Sequence, residues 1–374
     1  MSFLPFTRPS LDEATLQGVL EVMRSGWLAT GPQVAAFEAA LSAYVGGRPV
    51  RVMTSATAAL EIALLAAGIG PGDEVITPAM SFAATANVIL RVGARPVFVD
   101  VDVDTRNMDL ALAEAAITPA TRALMPVHFA GLPLDMPALY ALSQRHGLRV
   151  IEDAAHAIGS GLPGARIGSS GDLVCFSFHP NKNMTTLEGG ALVADDPAEL
   201  QLIERQRFHG LQRHADGTMD VGLPGGKCNL TDVAARVGLG QLPLLDGFND
   251  RRRHLAGLYF QQLQDEPRLR LPARGDAGHS WHMFAPLLDL PRLSIDRAQF
   301  IELMRQAGIG VGVHYPAIHL FTCYRQLGWK PGDCPNAERI GAQTVTLPLF
   351  PAMADDDVAR VCEAMRRILR ENTL

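Results

Sequence analysis

Short apolar runs alternate with helical patterns through the first half of the chain. Runs rich in Val, Ile and Leu are typical of buried strands, and apolar positions three or four residues apart are typical of helices packed on them. This alternation favours an α/β fold with a mostly parallel central sheet. The predicted strands are Val50–Met53, Glu74–Thr77, Pro96–Val99, Ala123–Val127, Arg149–Ile151 and Val174–Phe178, and the clearest helices are Thr57–Ala67 and Leu134–His146.

The second half of the pattern predicts a smaller domain. Helical periodicity returns in Thr231–Leu245 and in Arg251–Leu263, a charged stretch suited to a helix that joins two domains. Further elements are predicted at Trp281–Leu288, Ile295–Ala307, Val311–His314 and Asp355–Leu369. We therefore predict a large domain over residues 12–248 and a small α+β domain over residues 249–374, which residues 1–11 cross over to join.

Composition narrows the class of protein. The chain has 374 residues, of which 48% are hydrophobic and 19% are charged, enough for one large or two modest globular domains. A net charge of −6 predicts no basic surface for nucleic acid or for an anionic membrane. The five cysteines lack metal-type pairing, and no signal peptide or membrane-spanning apolar run is evident, so we expect a reducing, cytoplasmic location.

Two polar side chains follow the ends of buried strands. Asp153 ends the run that begins at Arg149, and Lys182 lies in the loop after Val174–Phe178. Because ligands collect beyond the carboxyl ends of strands in open α/β sheets, both side chains would face one crevice. Partial burial there would lower the pKa of Lys182 toward nucleophilic use. Taken alone, Asp153 also suits a helix N-cap, and Lys182 a solvated loop lysine.

A third element completes this candidate site. The segment Val52–Leu65 begins with small hydroxyl side chains and passes into a pattern of Ala and Leu, which predicts a helix N-terminus. Free N–H groups and the positive end of the helix dipole favour a phosphate, and the small residues Ala56, Thr57 and Ala58 let it approach closely. An ordinary Ser/Thr cap fits the same pattern. An amine, a carboxylate and a phosphate-binding helix end together suit pyridoxal phosphate (PLP).

Specific motifs extend over most of the chain. In order they include TSATAAL, PGDEVITPAMSFAATAN, VIEDAAHAIGS, FSFHPNKNMTTLEGG, KCNLTDVAARVGLGQL, HSWHMF and GIGVGVHYPAIHL. Their order resembles that of the DegT-type sugar-nucleotide aminotransferases over roughly residues 10–370. The resemblance implies the aspartate-aminotransferase fold (fold type I) and the transfer of an amino group with PLP as the cofactor.

The resemblance also implies roles for individual residues. Lys182 would bind PLP covalently and then move a proton as general base and general acid. Asp153 would pair with the pyridine nitrogen and keep it protonated, which makes the ring electron-withdrawing. His156 would contact the phenolic oxygen of the cofactor. Phe82 would lie over the open face of the ring, although most Phe residues with no such motif are core residues.

Further matches concern the phosphate and the neighbouring subunit. The phosphate-binding positions of the family are matched by Thr57, Ala58 and Ser177. Asn229 matches a residue that the family contributes to this phosphate from the other subunit. The resemblance therefore implies a homodimer with shared active sites.

The substrate class is also implied by the resemblance. His314 and Tyr315 match positions that line the substrate end of the pocket, and a polar edge strand is the alternative reading of this segment. The EDAxHA and FSFH features are similar to those of the branch that aminates carbon 4 of a nucleotide-linked keto sugar, often with glutamate as donor. The chain is similar to the UDP-4-amino-4-deoxy-arabinose type, which implies lipopolysaccharide or other cell-surface polysaccharide biosynthesis. Lys182 argues against the dehydratase branch, which has histidine there.

The sequence also contains features that fit other functions. A PLP-dependent lyase, aldolase or desulfurase and a non-catalytic PLP-binding regulator remain open, because a fold alone does not specify chemistry. The string GSGLPG at residues 159–164 fits the dinucleotide-binding pattern, but no amphipathic helix follows it. The pairs His279/His282 and His314/His319 lack a third ligand, so no metal site is predicted.

Overall fold

The computed structural model of the protein describes residues 3–162 and 165–374. Its strands are β1 Val50–Met53, β2 Glu74–Pro78, β3 Arg95–Val99, β4 Thr121–Leu124, β5 Arg149–Asp153, β6 Gly161–Leu162, β7 Ala165–Arg166, β8 Leu173–Ser177, β9 Gly190–Val193, β10 Leu211–Arg213, β11 Met219–Val221, β12 Leu269–Arg270 and β13 Leu287–Leu288. Its α-helices are α1 Glu13–Ser25, α2 Pro32–Tyr44, α3 Ala56–Ala66, α4 Ala83–Arg91, α5 Leu110–Ala115, α6 Met136–His146, α7 Pro197–Arg207, α8 Asp232–Gln241, α9 Leu245–Leu263, α10 Arg297–Gln306, α11 Thr322–Arg325, α12 Pro335–Gln343 and α13 Asp355–Glu371. The strands predicted in the first half of the chain all form, within a few residues of their predicted ends.

A seven-stranded sheet lies at the centre of the fold. Across the sheet the strands follow the order β1, β9, β8, β5, β4, β2 and β3. The strands from β8 to β3 in this order are parallel to their neighbours, whereas β9 runs antiparallel to both β8 and β1. The predicted α/β class with a mostly parallel sheet is therefore confirmed. The sequence pattern did not predict β9, which is short and begins at the second of two glycines.

The carboxyl ends of β5 and β8 lie side by side in this sheet. Asp153, the last residue of β5, is in register with Cys175 of β8, and β8 ends two residues later at Ser177. Both strands are buried along most of their length, because helices cover the two faces of the sheet. The chain therefore leaves two adjacent buried strands at one edge, where loops can form a site.

A second hydrophobic core lies in the C-terminal part of the chain. It is formed by side chains between Leu255 and Leu369, and Leu4 from the N-terminal segment packs into it. Leu4 also forms a β-bridge with Ile309. The predicted domain boundary after residue 248 falls inside α9, which continues from one core toward the other, and the boundary stays a prediction. Residues 1–2 of the predicted crossover, and 163–164 of the GSGLPG string, lie outside the described residues.

A buried arginine joins α9 to two segments of the C-terminal part. Arg252 of α9 is 2% exposed, and its Nη1 donates hydrogen bonds to the carbonyl oxygens of His282 (3.1 Å) and Leu349 (2.8 Å). Burial lowers the pKa of its guanidinium to about 10. These bonds hold the segments around His282 and Leu349 against α9. Within the described ranges, we find no helix with the length and apolar character needed to span a membrane.

Candidate active site

A cavity of about 350 Å³ opens at the carboxyl ends of β5 and β8. This volume is in the range of small-molecule sites. The predicted site residues that line it are Thr57, Phe82, Asp153, His156, Ser177, Lys182, His314 and Tyr315. The structure thus brings together the amine, the carboxylate and the start of α3. Ala58 and Asn229 do not line this cavity.

Lys182 lies in the loop that follows β8. Its backbone N–H donates to the carbonyl of His179 (2.8 Å), which closes a turn at the end of the strand. Among the described residues, no hydrogen bond or ion pair engages its amine, and the side chain is half-buried and borders the cavity. Burial lowers the pKa of this amine to about 8, although the nearby Asp153 acts in the opposite direction. About a tenth of the amines would then be neutral at pH 7, which suits a nucleophile.

Asp153 is almost completely buried, with 5% of its surface exposed. Its Oδ2 accepts a hydrogen bond from the Thr85 hydroxyl (2.7 Å), and its Oδ1 accepts one from the backbone N–H of Ala155 (3.1 Å). Burial raises the pKa of this carboxyl, while these two hydrogen bonds and the charge of Lys182 act to lower it. A buried carboxylate held in this way is suited to a cationic partner.

The start of α3 presents free backbone donors to the cavity. Ser55 caps the helix, because its hydroxyl accepts the N–H of Ala58 (3.1 Å). No hydrogen bond within the described residues engages the N–H groups of Ala56 and Thr57, so they are available to an anion. Gly190 at the start of β9 permits this packing, since a Cβ there would lie 2.4 Å from the Ala56 nitrogen.

Aromatic rings form one wall of the cavity. The imidazole of His156 stacks on His282, with 4.4 Å between ring centroids, and on Tyr315, at 6.1 Å. Its Nε2 is 3.2 Å from the Tyr315 hydroxyl, whereas its buried Nδ1 has no partner among the described residues. Burial lowers the pKa of His156 and of His282 well below the usual value. Both rings are therefore neutral at physiological pH.

Phe82 and His314 lie on the cavity side of two loops. Phe82 is 59% exposed and its ring is 5.7 Å from that of Tyr315, so the core alternative for this residue is wrong. His314 stacks on Phe6 of the N-terminal segment (5.1 Å), and its Nδ1 is 2.9 Å from the Thr346 hydroxyl. Burial lowers the pKa of His314 to about 4, which keeps its ring neutral.

Asn229 lies beside the sheet rather than in the cavity of its own chain. It forms a β-bridge with Met53. Its side-chain amide donates to the Thr30 hydroxyl, and its side-chain oxygen accepts from the Lys227 amine. Its contribution to the phosphate of a neighbouring subunit stays a prediction.

Several residues at this site were not predicted from the sequence. Ser81 lines the cavity, and Thr85 donates a hydrogen bond to Asp153. Their spacing of four around a helix start is a signal for side chains on one face. His282 was considered only as a metal ligand, and Glu188 at the cavity edge was not considered. Within residues 3–162 and 165–374, no group of three or more His, Cys, Asp or Glu side chains is placed to hold a metal ion.

Comparisons with known proteins extend over nearly the whole chain. The model of the DegT/DnrJ/EryC1/StrS aminotransferase family matches residues 9–366. The spore coat polysaccharide biosynthesis protein SpsC of Bacillus subtilis (strain 168) is 42% identical over 379 residues, which cover 98% of this chain and 97% of SpsC.

Solved structures are similar over the same extent. Spr1654 from Streptococcus pneumoniae, solved in its PMP form, is 32% identical with a TM-score of 0.93, and the match covers 98% of this chain and 99% of that one. Spr1654 has also been solved in its PLP form. The sugar aminotransferase CalS13 from Micromonospora echinospora is 30% identical with a TM-score of 0.88, covering 97% of this chain and 99% of that one.

Proposed function

This chain belongs to the DegT/DnrJ/EryC1/StrS aminotransferase family, and on that premise we propose that it transfers an amino group from glutamate to carbon 4 of a nucleotide-linked keto sugar. The family match and the structural similarity confirm the predicted fold type I and the predicted PLP-dependent aminotransferase activity. One observation carries the proposal: the Lys182 amine and the buried Asp153 carboxylate face the same cavity, beside free N–H groups of α3.

The residues of this cavity fit PLP. The buried Asp153 forms no ion pair within the described part of the chain, and the backbone donors of Ala56 and Thr57 are likewise available. When bound, PLP supplies an electron sink for the negative charge that remains after an amino-acid Cα loses its proton. In our proposal Asp153 holds the ring nitrogen protonated, and Thr57 and Ser177 bind the phosphate.

Lys182 has two roles in this proposal. Its amine first binds the cofactor covalently, which the lowered pKa of about 8 favours because only the neutral form is a nucleophile. With the cofactor and an amino acid bound, this amine would accept the proton that the amino-acid Cα loses and would later give up a proton. The same side chain thus acts as base and then as acid. The amine stays within reach because the turn at His179 fixes the start of the loop.

The aromatic wall orients the ligand in this proposal. Phe82 would lie against one face of the flat cofactor, and the neutral imidazole of His156 would hydrogen-bond its phenolic oxygen. His314 and Tyr315 lie at the side of the cavity where a sugar would enter. Polar groups at the edge, including His179 and Asn181, are suited to sugar hydroxyls.

Product analysis tests the proposed function. We expect purified protein with PLP and glutamate to form 2-oxoglutarate and the pyridoxamine form of the cofactor, since the amino group leaves the donor. A panel of UDP-, dTDP- and GDP-linked 4-keto sugars is then supplied, and mass spectrometry detects exchange of the carbonyl oxygen for an amino group. If no 4-keto sugar is aminated but 3-keto sugars are, the carbon-4 assignment is wrong. Release of sulfide or pyruvate, or no pyridoxamine form, would favour a lyase or a regulator.

We also propose a homodimer in which Asn229 reaches the cofactor phosphate of the partner. Large apolar side chains are exposed in two places. Met23, Trp27 and Leu28 lie in or just after α1, and Met219 and Val221 lie on the β10–β11 hairpin. Exposed apolar side chains of this size are often covered in an assembly. Trp27, for example, is 59% exposed.

Mixed dimers provide the test of shared sites. Lys182→Ala and Asn229→Ala would each be inactive or weak as homodimers, because every site carries one defect. Co-expression of the two gives mixed dimers in which one site carries both defects and the other carries none. Statistical mixing predicts recovery of about one quarter of wild-type activity. Absence of recovery, with dimers shown by light scattering, would contradict the shared site.

The proposed biological setting is cell-surface polysaccharide biosynthesis in the cytoplasm. The similarity to SpsC supports the polysaccharide part of this proposal. All five cysteines are unpaired thiols in the structure, which supports a reducing compartment. Whether the product enters lipopolysaccharide is tested by the surface glycans of a strain that lacks the protein.

A further inference from the structure

Two hydroxyl groups lie in a row behind the Asp153 carboxylate. Thr85 is completely buried in α4, and its Oγ1 is 2.7 Å from Asp153 Oδ2. Ser81, in the loop before this helix, is 2% exposed, and its Oγ is 2.6 Å from Thr85 Oγ1. Ser81 also borders the cavity.

The direction of these hydrogen bonds follows from the proton count. An ionised carboxylate can only accept, so the single hydroxyl proton of Thr85 is donated to Asp153. The Thr85 oxygen then accepts the proton of Ser81. The row therefore runs from Ser81 through Thr85 to Asp153, and each donor is polarised toward the negative charge. If Asp153 were protonated, this orientation would no longer be required.

Other groups around Asp153 do not replace this row. The titratable side chains that face it are Lys182, His128, Cys175 and Tyr315. Of these, Lys182 and His128 favour the charged carboxylate. The Lys182 amine must move away from Asp153 when it reacts. The backbone N–H of Ala155 donates to the other carboxylate oxygen, Oδ1. Thr85 is thus the side-chain donor that stays in place through a catalytic cycle.

We infer that Thr85, oriented by Ser81, is a positioning residue that keeps the Asp153 carboxylate ionised and fixed in its buried location. The inference rests on the proposed function, because a charged Asp153 matters only if a cationic ring nitrogen lies against it. Hydrogen bonds to the charged form favour that form, and they oppose the desolvation that burial imposes. The segment PAMSFAAT therefore serves the site twice, through Phe82 at the cavity and through its two hydroxyls behind Asp153.

The test measures the ionisation of Asp153 directly in the ligand-free protein. The carboxyl carbon of Asp153 is identified by ¹³C NMR through its loss in Asp153→Asn, and its titration is followed with pH. Thr85→Val, which keeps a similar size, should raise the midpoint by about one pH unit, since one hydrogen bond to the charged form is lost. Thr85→Ser should restore the midpoint. Ser81→Ala should shift it in the same direction by less.

A matched control separates this effect from the loss of a buried hydroxyl in general. Thr77 is also completely buried, but its hydroxyl donates to the carbonyl of Met125 (2.9 Å). Thr77→Val should lower thermal stability without shifting the Asp153 midpoint. In holoenzyme, Thr85→Val should lower kcat about tenfold at neutral pH, because the Asp153 carboxylate loses the hydrogen bond that fixes it, and Thr85→Ser should not.

Distinct results would overturn the inference. An unchanged Asp153 midpoint in Thr85→Val, or a shift in Thr85→Ser equal to that in Thr85→Val, would remove the role of the hydroxyl. If Thr85→Val does not fold, an unchanged midpoint in Ser81→Ala decides against the row. A wild-type protein that takes up no PLP would refute the proposed function, whereas the ligand-free titration would still report on Thr85 itself.

Discussion

Replacement of Lys182 by alanine is expected to lower the rate of amino transfer by about 10⁴-fold and to abolish covalent attachment of the cofactor. Two functions are lost at once, the nucleophile that binds PLP and the base that accepts the Cα proton. PLP should still bind, but weakly and reversibly, through Asp153 and the start of α3. Single-turnover kinetics with glutamate measure the rate, and borohydride reduction followed by mass spectrometry measures the covalent attachment.

The chain offers a good control for this experiment. It contains only three lysines, Lys182, Lys227 and Lys330, so a reduced adduct is assigned without ambiguity. Lys330 is exposed and does not line the cavity, and Lys330→Ala should behave as wild type. Lys182→Arg keeps a positive charge but no usable nucleophile, and should be as inactive as the alanine variant. Covalent attachment that survives in Lys182→Ala would refute the proposed role.

The second large effect is expected for Asp153→Asn, which should lower kcat by about 10³-fold. The amide keeps the shape of the side chain but removes the charge that holds the ring nitrogen protonated, and preorganised charges of this kind contribute effects of this size. The ring then withdraws electrons less strongly, so removal of the Cα proton slows. Stopped-flow absorbance of the half-reaction with glutamate gives the rate. A weaker affinity for PLP should accompany the lower rate.

Glu152 provides the matched control for Asp153. The two carboxylates are neighbours on β5 and both are buried, but successive side chains of a strand point to opposite faces. Glu152 accepts a hydrogen bond from the Tyr140 hydroxyl (2.6 Å) and lies 3.0 Å from Nε2 of His128. Glu152→Gln should therefore lower stability by about 1–3 kcal/mol while the half-reaction rate stays close to that of wild type. Equal losses of rate in both variants would mean that the Asp153 effect is structural.

The strands that carry the site were predictable because their signal is local. The run that ends at Asp153 and the run that precedes Lys182 each contain consecutive apolar residues followed by polar ones. Their adjacency was also predictable in outline, since parallel strands bring their carboxyl ends to one edge. β9 was missed because Gly190–Val193 is short and gains its stability from pairing with β1 and β8, which its own sequence does not reveal.

Other features of the site depend on partners far apart in the chain. The hydroxyl of Thr85 meets Asp153 across 68 positions, and His282 stacks on His156 although more than a hundred residues separate them. No periodicity or spacing encodes such pairs. The placement of Asn229 beside Met53, outside the cavity of its own chain, likewise follows from a bridge between distant segments.

The amino-acid sequence by itself determined most strands of the central sheet, the family and the types of chemical group available to the site. These depend on side-chain patterns and motifs read along the chain. Only the tertiary structure decided which groups meet, how deeply they are buried and which hydrogen-bond donors and acceptors have no partner. The pKa of about 8 at Lys182 illustrates the difference, because desolvation is produced by atoms from many segments packed around one amine.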